Sequence, residues 1–137
     1  MALIRALEIA GTGLSAQSVR LDAVASNLAN VDSVSSSIAE TYRARVPVFA
    51  AIFEPELEGV AKVEVKGIVE SPSPIEIQYH PGHPMADADG YVYYPNINPI
   101  EQLADMISAS RSYQDNLEVA NTAKQLLQRT LELGQLK

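Results

Sequence analysis

The sequence predicts a mainly α chain with a small β-rich insert, its long N- and C-terminal helices packed as an antiparallel, coiled-coil-like hairpin. Three observations predict it. An apolar repeat of heptad spacing opens the chain, a helical repeat resumes after Pro99, and all eight prolines fall between Pro47 and Pro99. The expected organisation is an N-terminal helix over residues 1–32, a Pro-rich, partly β insert over 33–99, and a C-terminal helix over 100–137.

In the first segment Leu3, Leu7, Ala10, Leu14, Gln17, Leu21, Val24, Leu28 and Val31 step by four and three. Apolar residues repeating every 3.5 positions keep one stripe turned to a partner helix, and a single polar Gln17 is tolerable in such a seam as a register device. An ordinary amphipathic helix within its own domain would also use the pattern, but the repeat persists over four heptads, long enough to argue for a partner helix. Gly11 and Gly13 each weaken the helix by about 1 kcal/mol relative to alanine. Neither a preceding strand nor a third glycine makes a phosphate loop of Gly11-Thr-Gly13, which leaves a bend or a close helix contact.

Proline excludes long helices from most of the insert. Val63–Val69 and Ile75–Tyr79 alternate apolar and polar residues, as half-buried strands do, and read as two strands joined by Glu70–Pro74. Tyr91–Tyr94 is a third candidate strand, and Ser33–Ser37 a polar loop. Tyr42–Val46 and Val48–Phe53 fit a strand or a short helix.

After Pro99 the helical period returns with Leu103, Ile107, Ser110, Tyr113, Leu117, Ala120, Lys124, Leu127 and Leu131, and Gly134 is the expected stop. Such a helix, about 35 residues at 1.5 Å each, is roughly 50 Å long and can lie along the first. A two-helix hairpin buries one stripe of each helix, so Ile4, Ile9, Val19, Met106, Val119, Leu126 and Leu133 near the flanks must find contacts elsewhere. Self-association follows. One patch meeting a different patch on the next copy gives a ring or an open helix.

Several function classes are excluded or disfavoured. A formal charge of −7 with no basic cluster gives no electrostatic footprint for nucleic acid. The absence of cysteine removes disulfides, thiolate metal sites and a cysteine nucleophile. Arg5 and Glu8 interrupt the apolar start, which therefore lacks the continuous run of a cleaved signal peptide, and no stretch reaches the roughly 18 apolar residues of a membrane span. His80, His83, Asp87 and Asp89 offer donors to a metal. Read as a calcium loop, however, the stretch puts Met85 first and Asn96 last, where Asp and Glu are needed, and Pro81 and Pro84 prevent the helix that would orient the two histidines as zinc ligands. No Gly-x-Ser-x-Gly elbow occurs. The expectation is a protein with no catalytic residues, no metal, no cofactor and no small-molecule substrate.

Ala25-Ser-Asn27-Leu-Ala-Asn30 followed by Val31-Asp-Ser33 closely resembles the N-terminal signature of flagellar rod, hook and hook-associated proteins. Tyr42-Arg-Ala-Arg45, Asp87-Ala-Asp-Gly-Tyr91-Val-Tyr-Tyr-Pro-Asn96, Met106–Gln114 and Asn121–Gln125 are similar to stretches of the proximal members of the flagellar basal-body rod family. The resemblance implies a structural subunit, without enzymatic activity, of the torque-transmitting drive shaft that crosses the periplasm. It implies export by the flagellar type III apparatus without a cleaved signal, and assembly with other rod subunits and further copies of itself. The residues expected at the assembly interface are Leu3, Leu7, Leu14, Leu21, Val24, Asn27, Leu28 and Asn30 on the first helix, with Leu103, Ile107, Tyr113, Leu117, Leu127 and Leu131 on the second. Asn27 and Asn30 lie three apart, hence on one face, where their amides satisfy helix-end carbonyls or bridge to the following loop; the alternative leaves both exposed at a frayed end. A free-standing cytoplasmic helical adaptor would use the same hairpin to bind one partner, and a small metal-dependent hydrolase would use the His80–Asp89 loop.

Overall fold

The computed structural model describes residues 1–55 and 59–135. Helix α1 spans Ala2–Ala29 and helix α2 spans Pro99–Gln135. Between them lie β1 (Arg45–Phe53), β2 (Ala61–Glu70), β3 (Glu76–Tyr79) and β4 (Tyr91–Tyr94). Asn98 caps α2, its Oδ1 accepting from the amides of Ile100 at 3.0 Å and Glu101 at 3.4 Å, and Pro99 takes the first helical position, where its missing N–H costs nothing. α1 stops at Ala29, so Val31, the last residue of the expected repeat, lies outside the helix. α2 continues one residue past the expected stop at Gly134.

The helices form an antiparallel hairpin. Asn27 near the end of α1 meets Gln102 at the start of α2, Arg20 pairs with Asp105, and Gly13 faces Asn116 farther along. The stripe that closes the hairpin coincides with the expected repeat at Ala10 and Val24 but not at its leucines. On α1 the buried residues are Ala10, Gly13, Ala16, Ala23, Val24 and Asn27, and on α2 Ala109 and Ala123. Leu3, Leu7, Leu14, Leu21 and Leu28 are half-buried at its flanks, as are Tyr113 and Leu127, while Leu103, Ile107, Leu117 and Leu131 are exposed. Small residues let two backbones approach closely, and bulky leucines are displaced to the margins of such a contact. A Cβ at Gly13 would meet the Asn116 side chain at 2.8 Å, so Gly13 marks a close helix contact, while Gly11 faces open space.

The insert holds two separate two-stranded antiparallel sheets, β1 with β2 and β3 with β4. The expected hairpin of Val63–Val69 with Ile75–Tyr79 does not form. Val63–Val69 pairs with Arg45–Phe53, and Glu76–Tyr79 pairs with Tyr91–Tyr94 across the His80–Gly90 loop. Val48–Phe53 is thereby strand, and the β1–β2 register shifts between Val48 and Phe49. The outer edge of β2 leans on α1, with the Val63 N–H donating to Thr12 Oγ1 at 3.3 Å and Lys62 Nζ paired with Glu8 at 3.3 Å and Glu54 at 2.5 Å. Hydrogen bonding to Glu54, then to Glu8, raises the Lys62 pKa above its ordinary value. The β3–β4 ribbon is tied to the preceding loop by Ser35, which exchanges both backbone hydrogen bonds with Tyr93.

Candidate assembly surface and the joint between helix and insert

Asn27 is 1% exposed and forms the joint. Its amide nitrogen donates to the Arg45 carbonyl at 2.9 Å and to Gln102 Oε1 at 3.0 Å, and its Oδ1 accepts from the Arg45 N–H at 2.8 Å and the Tyr42 hydroxyl at 3.0 Å. One amide, with all four capacities used, joins the end of α1 to the start of β1 and the start of α2. Tyr42 is held further by Ser26 Oγ at 2.9 Å and carries the Arg45 guanidinium 5.5 Å above its ring. Asn30 donates its side-chain amide at 2.8 Å to the Ser26 carbonyl, which also accepts the Asn30 backbone N–H at 3.2 Å, and its Oδ1 accepts from the Ser33 hydroxyl at 3.2 Å. Asn27 thus bridges to the loop and Asn30 satisfies a helix-end carbonyl.

Asn96 fixes the return path. Its Oδ1 accepts the Ala44 N–H at 2.8 Å while its amide donates to the carbonyls of Ser71 and Ser73 at 3.2 and 2.9 Å. Sequence reasoning did not single out Asn96, Gln102, Arg20 or Asp105 as site residues. The Arg20 guanidinium also reaches Gln17, the polar member of the expected repeat, at 3.5 Å.

The His80–Gly90 loop has an internal explanation. Asp87 Oδ1 accepts from the amides of Tyr91 at 2.9 Å and Asp89 at 3.0 Å, and Oδ2 accepts the Tyr93 hydroxyl at 3.0 Å. These donors, the Tyr91 amide foremost, hold the Asp87 carboxyl below the usual carboxylate range, and the same contact pushes the Tyr93 phenol up. Gly90 turns the chain with φ +86°, and a Cβ there would come within 2.9 Å of the Tyr79 ring. His83 Nδ1 accepts the Met85 N–H at 3.1 Å. Among the described residues no group of three or more His, Asp or Glu side chains is placed to hold a metal ion.

What the molecule offers most of is apolar surface. Ile100, Leu103 and Ile107 line the outside of α2 at 78, 51 and 56% exposure. A groove of about 260 Å³ between the helices is lined by Leu3, Ala6, Val119, Thr122, Ala123 and Leu126, together with Glu118. Total accessible surface is 9219 Å², against about 7,000 Å² for a compact monomer of this mass.

Comparison with known proteins decides the family. The flagella basal body rod protein model matches residues 7–35, and the model of the flagellar basal body rod FlgEFG protein C-terminal region matches residues 88–133. The flagellar basal-body rod protein FlgC of Yersinia enterocolitica is 47% identical over 135 residues, covering 98% of this chain and all of the relative. That of Salmonella typhimurium is 46% identical over the same length and coverage, and that of Aquifex aeolicus 40% over 132 residues, 96% of this chain and 97% of the relative. The chain belongs to the FlgC family of flagellar basal-body rod proteins. The two matched stretches of this rod-family chain are the ones that meet in space: Asn27 and Gly13 lie in the first, Asn116 and Ala109 in the second. The intervening segment supplies the β1–β2 ribbon.

Proposed function

We propose that this chain is a structural subunit of the proximal flagellar rod, joined to other rod subunits and to further copies of itself in a helical, torque-transmitting shaft. The observation that carries the reading is the inversion of side-chain size across the hairpin. Alanine and glycine close the inner stripe, and the large apolar residues that a free-standing domain would bury stand at the flanks or outside. An exposed apolar surface of that extent marks an interaction site.

Leu3, Leu7, Leu14, Leu21 and Leu28, with Leu103, Ile107, Tyr113, Leu117, Leu127 and Leu131, are the proposed contacts to neighbours. On this reading the coiled-coil character of the leucine repeat is expressed between subunits, while Val24, Asn27 and Asn30 keep each subunit's own hairpin and insert in fixed relation. Stiffness comes from close helix packing, with no turnover to perform. We further propose export through the flagellar type III apparatus without cleavage, a reading that rests on the membership of the rod family.

Electron microscopy of purified basal bodies, with this chain carrying a label, tests the reading. Density in the periplasm-spanning shaft supports it. Label confined to the cytoplasm, with the shaft complete, would favour a helical adaptor instead.

A further inference from the structure

The β1–β2 ribbon is fastened unequally along its length. At its base, Asn27 grips both backbone groups of Arg45, the Ser71 N–H donates to the Ala44 carbonyl at 2.8 Å, and the Arg43 guanidinium donates to the carbonyls of Ser71 and Ser73 at 3.3 and 3.2 Å. Beyond the base lies a bulge: Val48 faces Gly67 and Phe49 faces Val65, which leaves Lys66 without a cross-strand partner. An extra residue of this kind interrupts the ladder and bends its strand. The outer half, Phe49–Phe53 with Ala61–Val65, continues past the bulge, and no residue of either strand is buried.

α1 lies against both strands, yet among the described residues only two polar contacts tie the outer half to it. The Val63 N–H donates to Thr12 Oγ1 at 3.3 Å, and Lys62 Nζ reaches Glu8 at 3.3 Å while holding Glu54 at 2.5 Å. Parting these contacts strands no buried group. The Thr12 hydroxyl keeps its bond to the Ile9 carbonyl at 2.8 Å, Lys62 keeps Glu54, and the exposed Val63 and Glu8 turn to water. Exposed ion pairs hold weakly and are screened by salt.

We propose that the outer half of the ribbon is a strap, hinged at the bulge and clasped to α1 by Lys62 through Glu8, that swings off the helix as an intact two-stranded body. Opening bares the α1 face of Glu8, Ile9 and Thr12, the first two lying four and three residues before the last and so beside it. Helix and ribbon both stay folded, because the base of the ribbon and its ladder take no part in the movement. The device belongs to the single chain and goes beyond its role as a rod subunit.

The Val63 amide reports the clasp. Successive amides of an antiparallel strand point alternately toward and away from the partner, so the Val63 N–H, turned to Thr12, lies outside the ladder, and the Glu64 N–H lies within it. Amide hydrogen exchange of the full chain, followed by NMR and referred to intrinsic rates, is expected to show Val63 about fivefold faster in Lys62→Glu, the upper end for an exposed pair, with Glu64 unchanged. Adding Glu8→Lys restores the pair with its charges exchanged and is expected to return Val63 to its wild-type protection. Raising salt from about 0.01 to 1 M, which shortens the screening length from about 30 to 3 Å, is expected to speed Val63 relative to Glu64 in the wild type. Val63 and Glu64 accelerating together would show a ribbon that unravels rather than swings. An unchanged Val63, or no recovery in the charge-exchanged chain, would show that Lys62 is no clasp, and each of these results overturns the proposal.

Discussion

Replacing Asn27 by leucine keeps the bulk of the side chain and removes its amide, and the consequence can be worked from four contacts. The position is 1% exposed, so no water replaces the lost partners directly. Tyr42 retains the Ser26 hydroxyl at 2.9 Å, and Gln102 is half-buried and can turn to solvent; each of those losses costs about 0.5–1 kcal/mol. The Arg45 N–H and carbonyl point at Asn27 from 2.8 and 2.9 Å, and each, left without a partner against the helix, costs about 1 kcal/mol or more. The sum is about 3 kcal/mol, a large part of the 5–15 kcal/mol typical of a folded domain. Asn30→Leu removes only the bonds to Ser26 and Ser33 at a half-buried position and is expected to cost about 0.5–1 kcal/mol. Urea unfolding of the purified monomer, followed by far-ultraviolet circular dichroism, measures both. A shift below about 0.5 kcal/mol for Asn27→Leu, or equal shifts for the two variants, would refute the joint as described. In cells, the Asn27 variant should still be secreted but incorporate poorly, read by comparing secreted with rod-bound subunit.

The two glycines of α1 should respond oppositely. Gly11→Ala, with open space around its Cβ, should stabilise the monomer by about 0.5–1 kcal/mol, whereas Gly13→Leu, too long to be absorbed by a shift of Asn116, should destabilise it by about 2 kcal/mol; urea midpoints decide, and equal responses would remove the close contact. The depressed Asp87 carboxyl contributes order that is present above its ordinary value of 3.8 and lost as pH falls through the lower folded value. Its partner Tyr93, raised from 10.0, contributes order that is present below that value and lost as pH rises through the folded one. The β3–β4 loop should therefore hold across neutral pH and loosen only at the two extremes. In Asp87→Asn the acid transition, followed by the NMR signals of Tyr91 and Tyr93, should vanish, and its persistence would point to another group. Ala109→Leu, at 0% exposure, should cost about 1–3 kcal/mol of monomer stability. Leu117→Asp, at 42% exposure, should change stability by only about 0.5 kcal/mol while abolishing rod incorporation.

Both helices were legible in the sequence because their signals are local. The repeat from Leu3 to Leu28, the boundary at Pro99 and the lack of proline beyond it fix α1 and α2 to within a few residues. Strand partners were not legible. Alternation in Val63–Val69 marks a strand but says nothing of which distant segment completes its hydrogen bonds, and Val48–Phe53 is apolar on both faces, so neither a period of 2 nor one of 3.6 stands out. The inner stripe was misjudged for another reason. Ala10 and Val24 belong to the expected repeat, but Gly13, Ala16 and Ala23 lie beside it in phase, and hydrophobic weight favours Leu, whereas close backbone approach favours the smallest side chain. Of the joint, Asn27 and Asn30 could be picked out as unusual in a helix, but Gln102 and Asp105 could not, their partners lying 75 and 85 residues away.

That displacement of the leucines follows from what a polymer subunit must do with a limited set of apolar residues. Had Leu7, Leu14 and Leu21 filled the inner stripe, the monomer would be more stable and its outer surface nearly inert. Instead, alanine and glycine close the hairpin with little apolar area, and its register rests on two polar contacts, Asn27 with Gln102 and Arg20 with Asp105, and on the close fit of Gly13 against Asn116. Polar pins suit this task because a smooth small-residue interface would otherwise tolerate sliding, and a buried amide such as that of Asn27 is costly to leave unmatched. On the proposed reading the leucines are then free to face neighbours. The extended hairpin exposes roughly 2,000 Å² more than a compact monomer of its mass, and on the proposed reading neighbours cover that excess, so that rigidity belongs to the shaft rather than to the single chain.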